Sequence, residues 1–365
     1  IQLAGGNDGI NTVIPASDPV YRSSRKTIGH AEDTVLPLAE GFGLHPSLPG
    51  LKGLWDNGKL AVVRGVGYPN QNYSHFKSSA IWQAGDPAMN LNNGWLGRTL
   101  EQLESQQHDP FLGFNIGNAT PDEMRTPKIA IPSVKDPSDY GVKVSGKLAA
   151  STEARTATML KLYEQYPANS PYGVLLETTA DSAVSSAKML QDAAKTYTPA
   201  VQYPDTSFAA GLSVLAEAIV GNLGVRVGHA TLGGFDTHNN EVAEHKDLME
   251  TLDSGLTAFY QDLQAHGKMD DVVVLTWSEF GRRVAENANG GTDHGAASVC
   301  FALGNAVQKG LYGDAPNLAA LVDDGNVPYT TDFRRVYATV IERWLGVPSE
   351  ALLGQRWDPL GFLAA

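Results

Sequence analysis

The sequence predicts an α/β protein with a mostly parallel sheet covered by helices on both faces, and two observations carry that prediction. Short apolar runs ending in Gly, Asp or Ser recur along the chain: "IQLAGG" from residue 1, "KLAVVRGVG" from 59, "PFLGFNIG" from 110, "VRVGHATLGG" from 225, "VVVLTW" from 272 and "SVCFALG" from 298. Runs of this length without polar alternation read as strands buried on both sides. Between them lie helical patterns. One places Phe208, Leu212, Leu215, Ile219, Val220 and Leu223 on a single face, and another does so with Val242, Leu248, Leu252, Leu256, Phe259 and Leu263. Buried strands alternating with amphipathic helices form a parallel sheet in a layered α/β domain.

The stretch from about 118 to 205 differs. It is rich in Ser, Thr, Lys and Pro, with helix-like segments near 150–166 and 172–196, and reads as a mainly helical insertion or cap within one domain spanning 1–365. Apolar residues make up 42% of the chain and charged residues 18%, which places it among globular proteins. No apolar run approaches the roughly 20 residues that span a bilayer. A formal net charge of -13 argues against nucleic acid as a partner, because phosphate binding needs clustered Lys and Arg. The one cysteine, Cys300, lies in an apolar run and reads as a small core residue, leaving neither an intrachain disulfide nor a thiolate zinc site.

In open α/β sheets, ligands bind beyond the carboxyl ends of the strands, and polar residues gather there in this chain. The first strand ends in "GGNDG" with Asp8, and the strand from 59 leads to "YPNQNYSHF" with Ser74 and His75. "GGFDTHNN" brings Asp236 and His238, the strand from 272 ends at Glu279, and "GTDHG" brings Asp293 and His294. Singly, an Asp after a Gly pair is a turn residue. Together these acids repel one another, and one or two divalent cations would compensate, with imidazole and carboxylate suiting Zn or Mn and all-oxygen sets Ca or Mg. The metal candidates are therefore Asp8, Asp236, His238, Glu279, Asp293 and His294.

The motifs "GGNDGINTVIP", "FGLHPSL", "SHF", "GGFDTH", "SEFGRR", "GTDHG" and "DFRRVYATVIERWLG" resemble the exported domain-of-unknown-function family numbered 1501, usually made with a twin-arginine leader. That family resembles in turn the alkaline phosphatase and sulfatase superfamily. The resemblance implies an alkaline-phosphatase-like α/β sandwich, an exported or periplasmic location, and a metal site with a nucleophile at the carboxyl edge. On it, Asp8, Asp236, Glu279 and His294 fall on metal-ligand positions and Ser74 on the nucleophile position. The chain departs from the superfamily pattern at Phe280, where a His is expected, and at Asn240, with His238 only two residues after Asp236. Nothing near Ser74 resembles the formylglycine sulfatase signature.

The implied activity is hydrolysis of a phosphate or sulfate ester of a small molecule or glycan. In it Ser74 acts at a helix N-terminus, and His75 or His238 supplies the leaving-group proton. Arg282 has two readings, a bidentate clamp on the ester anion and a bridge to a surface carboxylate. Ser74 also has two, nucleophile and helix N-cap. His45, before a Pro at a helix start, reads as a structural hydrogen bond; the histidines at 30, 108, 229, 245 and 266 carry no context. The alternative to an enzyme is a superfamily relative without catalysis that binds or assembles in the envelope. A Ser-His-Asp acyl hydrolase lacks its Gly-x-Ser-x-Gly elbow.

Overall fold

A computed structural model of the chain describes residues 1–104, 109–135, 140, 149–165, 173–323 and 325–364. His108 and parts of the 118–205 stretch lie outside the described residues. The strand Leu60–Gly67 is buried at every position and organises the sheet. It pairs antiparallel with Ser298–Leu303 and parallel with Gly310–Tyr312 and Thr331–Asp332. Ser298–Leu303 is also antiparallel to Val274–Leu275. Beyond that edge the chain through Trp277 bridges parallel to Gln2, and Gln2–Ala4 pairs parallel with Thr231–Gly233. A further parallel ladder joins Ser133–Val134, Gly113–Ile116 and Val227–His229.

The α/β architecture and its parallel ladders are those the sequence predicts. The antiparallel course of Ser298–Leu303 is not visible in the sequence. It arises because this strand follows the hairpin of Gly281–Glu286 and Thr292–Gly295 rather than a crossover helix, and parallel pairing needs a crossover of a dozen or more residues. The run "VRVGHATLGG" forms two short strands instead of one, the first pairing with Gly113–Ile116 and the second with Gln2–Ala4.

Side chains of the central strands alternate between two cores. Leu60, Val62, Val299, Phe301 and Leu303 pack with the helices Pro49–Asp56, Ser207–Val220 and Glu241–Ala265. Ala61, Val63, Cys300 and Ala302 pack on the other face with Trp95–Glu104 and Phe333–Thr339. Each fully buried Leu, Val or Phe contributes about 1.5–3 kcal/mol relative to exposure, so both faces hold helices. Val242, expected on the buried face of its helix, is 50% exposed; the buried stripe there runs through Glu241, His245, Met249 and Leu252. In the middle stretch the helices Ala149–Glu164 and Gly173–Ala194 match the sequence pattern, while Ser133–Val134 adds a short strand to the sheet. No helix among the described residues is long and apolar enough to cross a membrane.

Gln2–Ala4, Thr231–Gly233, the chain through Trp277 and Leu60–Gly67 run in one direction, so their carboxyl ends share an edge. Ser298–Leu303 runs oppositely, which brings His294, just before it, to that same edge. A cavity of about 370 Å³ lined by Ile1, Val227, Val274 and Trp277 contains none of the candidate site residues.

Candidate metal centre

Gly5 and Gly6 turn the first strand over this edge, with φ of +120° and +75°. A Cβ on Gly5 would stand 2.6 Å from the Asp236 amide nitrogen, and one on Gly6 would stand 2.2 Å from Cε2 of Phe280. Only glycine permits this backbone at such close approach.

Arg282 lies beneath the turn, fully buried. Its Nε donates to Gly6 O at 2.7 Å and Nη1 to Thr292 O at 2.9 Å. Its Nη2 reaches Gly5 O at 2.5 Å, Phe235 O at 2.9 Å and Asp236 Oδ1 at 2.8 Å. Every guanidinium nitrogen is engaged inside the protein. Of its two readings, Arg282 therefore matches the bridge, made to the half-exposed Asp236 carboxylate, and has no free nitrogen for an anion clamp: it fixes the Gly5–Gly6 turn and orients Asp236.

The helix His75–Ala84 carries His75 to the edge. Trp82 stacks on Trp277 at 5.6 Å and on Phe333 at 4.6 Å, which anchors the helix on the sheet. The buried Ser78 hydroxyl donates to Glu279 O at 2.5 Å and also meets Tyr68 Oη at 2.8 Å. The helix and the end of the Glu279 strand are thereby locked together. Ser74 occupies the N-cap position, exposed, with no side-chain capping bond.

One ligand atom from each of His75, Asp236 and His294 lies within 4.8 Å of the others. His294 Nδ1 stands 2.8 Å from Tyr73 O. A carbonyl only accepts, so Nδ1 carries the proton and Nε2 presents a lone pair. That Nε2 is 3.1 Å from Asp236 Oδ1. His75 repeats the pattern, with Nδ1 at 2.9 Å from Glu279 Oε1. His75 Nε2 is buried without a hydrogen-bond partner, close to Asp236 Oδ2 at 3.4 Å but not aligned with it. Two imidazole lone pairs and a carboxylate converging on one point repel, and an orphaned buried nitrogen is costly. A divalent cation relieves both, so the residues fit one. An imidazole whose other nitrogen is held by a carboxylate or carbonyl is also the usual setting of a metal-bound histidine.

Electrostatics agree with that fit. Burial alone would raise the Asp236 carboxyl, but the Arg282 hydrogen bond, a hydrogen bond from His294 when its ring is doubly protonated and no ion is bound, and the Arg282 charge hold it at about 2. Burial lowers His294 from its ordinary value, which favours the neutral ring. His238 Nε2 lies 3.0 Å from Asp236 Oδ1 and 2.9 Å from His294 Nε2. Its Nδ1 lies 3.6 Å from Asp293 Oδ1.

The structure thus brings Ser74, His75, Asp236, His238, Glu279, Asp293 and His294 together. It gives them distinct places. Glu279, nearly buried, accepts from the Gly5 amide at 2.9 Å and holds His75. Phe280 packs against both His75 and His294, with centroids at 4.8 and 4.5 Å, while the two imidazoles meet each other at 4.5 Å. Asp8 stands apart from the three converging ligands. It is fully buried, accepts from Ile10 N at 3.1 Å, and is paired with Arg25, whose Nη2 lies 3.0 Å from its Oδ1.

Several residues of this edge carry no sequence signal. Arg25 sits in "YRSSRK", a segment without a motif, and the Tyr73 carbonyl is invisible to residue type. His45 behaves as its position predicts, accepting from Ser47 N at 3.0 Å just before the Pro49 helix. His229 pairs with Glu123 at 2.8 Å and His266 with Asp262 at 3.2 Å, both away from this edge.

No curated protein matches the chain. Among solved structures it is similar to the phosphonate monoester hydrolase SpPMH from Silicibacter pomeroyi, with 12% identity and a TM-score of 0.39, over 98% of this chain and 76% of that one. Residues 61–353 match the family described as "Protein of unknown function (DUF1501)", and the chain belongs to that family.

Proposed function

We propose that the protein is a metal-dependent hydrolase of a phosphate or sulfate ester, on a small molecule or a glycan, acting outside the cytoplasm. The observation that carries this reading is the convergence of His75, Asp236 and His294 at the start of the helix whose N-cap position the exposed Ser74 occupies. Two imidazoles and one carboxylate suit Zn, Mn or Fe better than Ca or Mg. A bound ion would supply charge neutralisation for the ester oxygens and lower the pKa of a hydroxyl at the site.

The chain's own residues do the rest. Ser74 Oγ, its proton lost to solvent, attacks phosphorus or sulfur; an Oγ–P or Oγ–S bond forms as the bond to the ester oxygen breaks, and water then cleaves the Ser74 ester. The first amides of the His75 helix have no intrahelical acceptor and favour an anion there. In its imidazolium form His238 has donors for both Asp236 and Asp293, and it gives its proton to the leaving oxygen. Arg282 touches no substrate and holds Asp236. The test is a screen of phosphate monoesters, diesters and sulfate esters with metal-loaded protein. Turnover should fall at least about 10³-fold in Ser74→Ala, and a variant with full activity would remove Ser74 as nucleophile.

A second reading is a non-catalytic binding or assembly protein of the envelope. Phe76, next to His75, is 90% exposed, a ring suited to stacking on a sugar or docking a chain. Metal-loaded protein that binds a glycan but cleaves none of these esters would favour it.

A further inference from the structure

We infer that Arg25 supplies, as a fixed guanidinium, the cation beside Asp8, so that the centre holds one divalent ion per chain and not two. The inference rests on the metal-dependent reading above and narrows it.

Asp8 ends the first strand at the same edge as Asp236, yet none of its acceptor capacity faces the converging ligands. Arg25 meets both of its oxygens through Nη1 and Nη2, and Ile10 N donates to Oδ1 as the N-cap bond of the Gly9–Thr12 turn of helix. Arg25 is itself held in place, with Nε donating to Val284 O at 2.9 Å and Nη2 to Arg283 O at 2.9 Å. Both side chains are fully shielded from solvent. A cation arriving at Asp8 would have to displace a bidentate guanidinium with two further backbone acceptors, at close range to its positive charge.

The other groups packed around Asp8 add no uncompensated charge. Glu241, fully buried, accepts from Thr292 Oγ1 at 2.7 Å. Burial and then the Asp8 charge push its carboxyl up to about 9, which keeps it neutral. His245 approaches Asn7 Oδ1 at 3.1 Å and Thr12 Oγ1 at 3.4 Å, and burial pushes it down to about 4. With Asp8 negative, Arg25 positive and the rest neutral, the cluster sums to zero. The Asp236 edge differs, since His75 Nε2 is left without a partner there. Phe280 contributes an apolar ring with no ligand atom, wedged against Gly6 and His75.

The experiment is titration of metal-stripped protein with Zn²⁺ and, separately, Mn²⁺, read by a chromophoric chelator in competition and by metal content after gel filtration. Asp8→Asn is run beside it. The expected result is about one equivalent in both proteins, with affinities within about 3-fold. About two equivalents in the wild type, falling to one in Asp8→Asn, would overturn the role of Arg25 while leaving the metal-dependent reading intact. No bound metal in the wild type would overturn that reading itself, and the inference with it. Should Asp8→Asn fail to fold, the wild-type stoichiometry alone decides between one ion and two.

Discussion

His75 and Glu279 lie 204 positions apart in the chain, and their side chains meet at 2.9 Å, Nδ1 against Oε1. The carboxylate fixes which imidazole nitrogen carries the proton and so which one faces Asp236. Losing such a partner typically costs about 10–100-fold in metal affinity. Glu279→Ala is expected to weaken Zn²⁺ binding by that factor, and Glu279→Gln, whose amide oxygen still accepts, by less. Equal affinities for all three proteins in chelator competition would show that Glu279 does not orient His75.

Arg282 is a test of buried polar satisfaction. Removing its guanidinium takes a donor from the carbonyls of Gly5, Gly6, Phe235 and Thr292, of which Phe235 O keeps Thr237 N at 2.9 Å, and each buried acceptor left unpaired costs about 1–3 kcal/mol. Arg282→Met is expected to lower unfolding free energy by about 3 kcal/mol or more in urea titration. Arg282→Lys should rescue little of it, because one ammonium cannot span a forked set of acceptors. A stability loss under about 1 kcal/mol for either variant would contradict this role.

Stability should depend on pH through the buried cluster around Asp8. Burial, then the Asp8 charge, raises Glu241 from an ordinary 4.5 to about 9. Between those values the folded state binds a proton that the unfolded chain does not, so stability falls as pH rises through the window. Burial lowers His245 from 6.5 to about 4, and burial followed by the His245 charge lowers His45 to about 2. For both, the unfolded chain takes up protons first as pH drops below about 6.5, and stability falls in that direction. The limb from about 8 to 9, above the range of Glu217, which burial raises to about 7, therefore belongs to Glu241. Thermal melting should decline over it in the wild type and flatten in Glu241→Gln. An unchanged slope in the variant would assign the limb to another group.

Ser74 makes no capping bond through its hydroxyl. Ser74→Ala should consequently change unfolding free energy by no more than about 0.5 kcal/mol and leave metal content unaltered. A loss near the roughly 1 kcal/mol typical of a cap would place the hydroxyl in a structural role.

Much of the edge was legible because buried strands announce themselves, and the polar residues that follow them land at one end of a sheet. That reasoning found Asp236, His238, Glu279 and His294, and the helix opening at His75. It could not see partners that come from unpatterned segments. Asp8 looks like a metal ligand until Arg25 occupies it, and nothing in "YRSSRK" signals a buried cation. Arg282 and Arg283 are adjacent in sequence, yet only Arg282 is fully buried, a difference set by strand alternation and not by residue type. The antiparallel direction of Ser298–Leu303 was hidden for a related reason. A strand buried on both faces reads the same in either direction, and only the hairpin before it decides.

The central claim, that His75, Asp236 and His294 hold a divalent metal, is tested most directly by elemental analysis of protein purified without chelator, beside Asp236→Ala. About one equivalent of a transition metal in the wild type, lost in the variant while the circular dichroism spectrum is retained, is the predicted result. No metal in either protein after incubation with Zn²⁺, Mn²⁺ or Fe²⁺ would contradict the account.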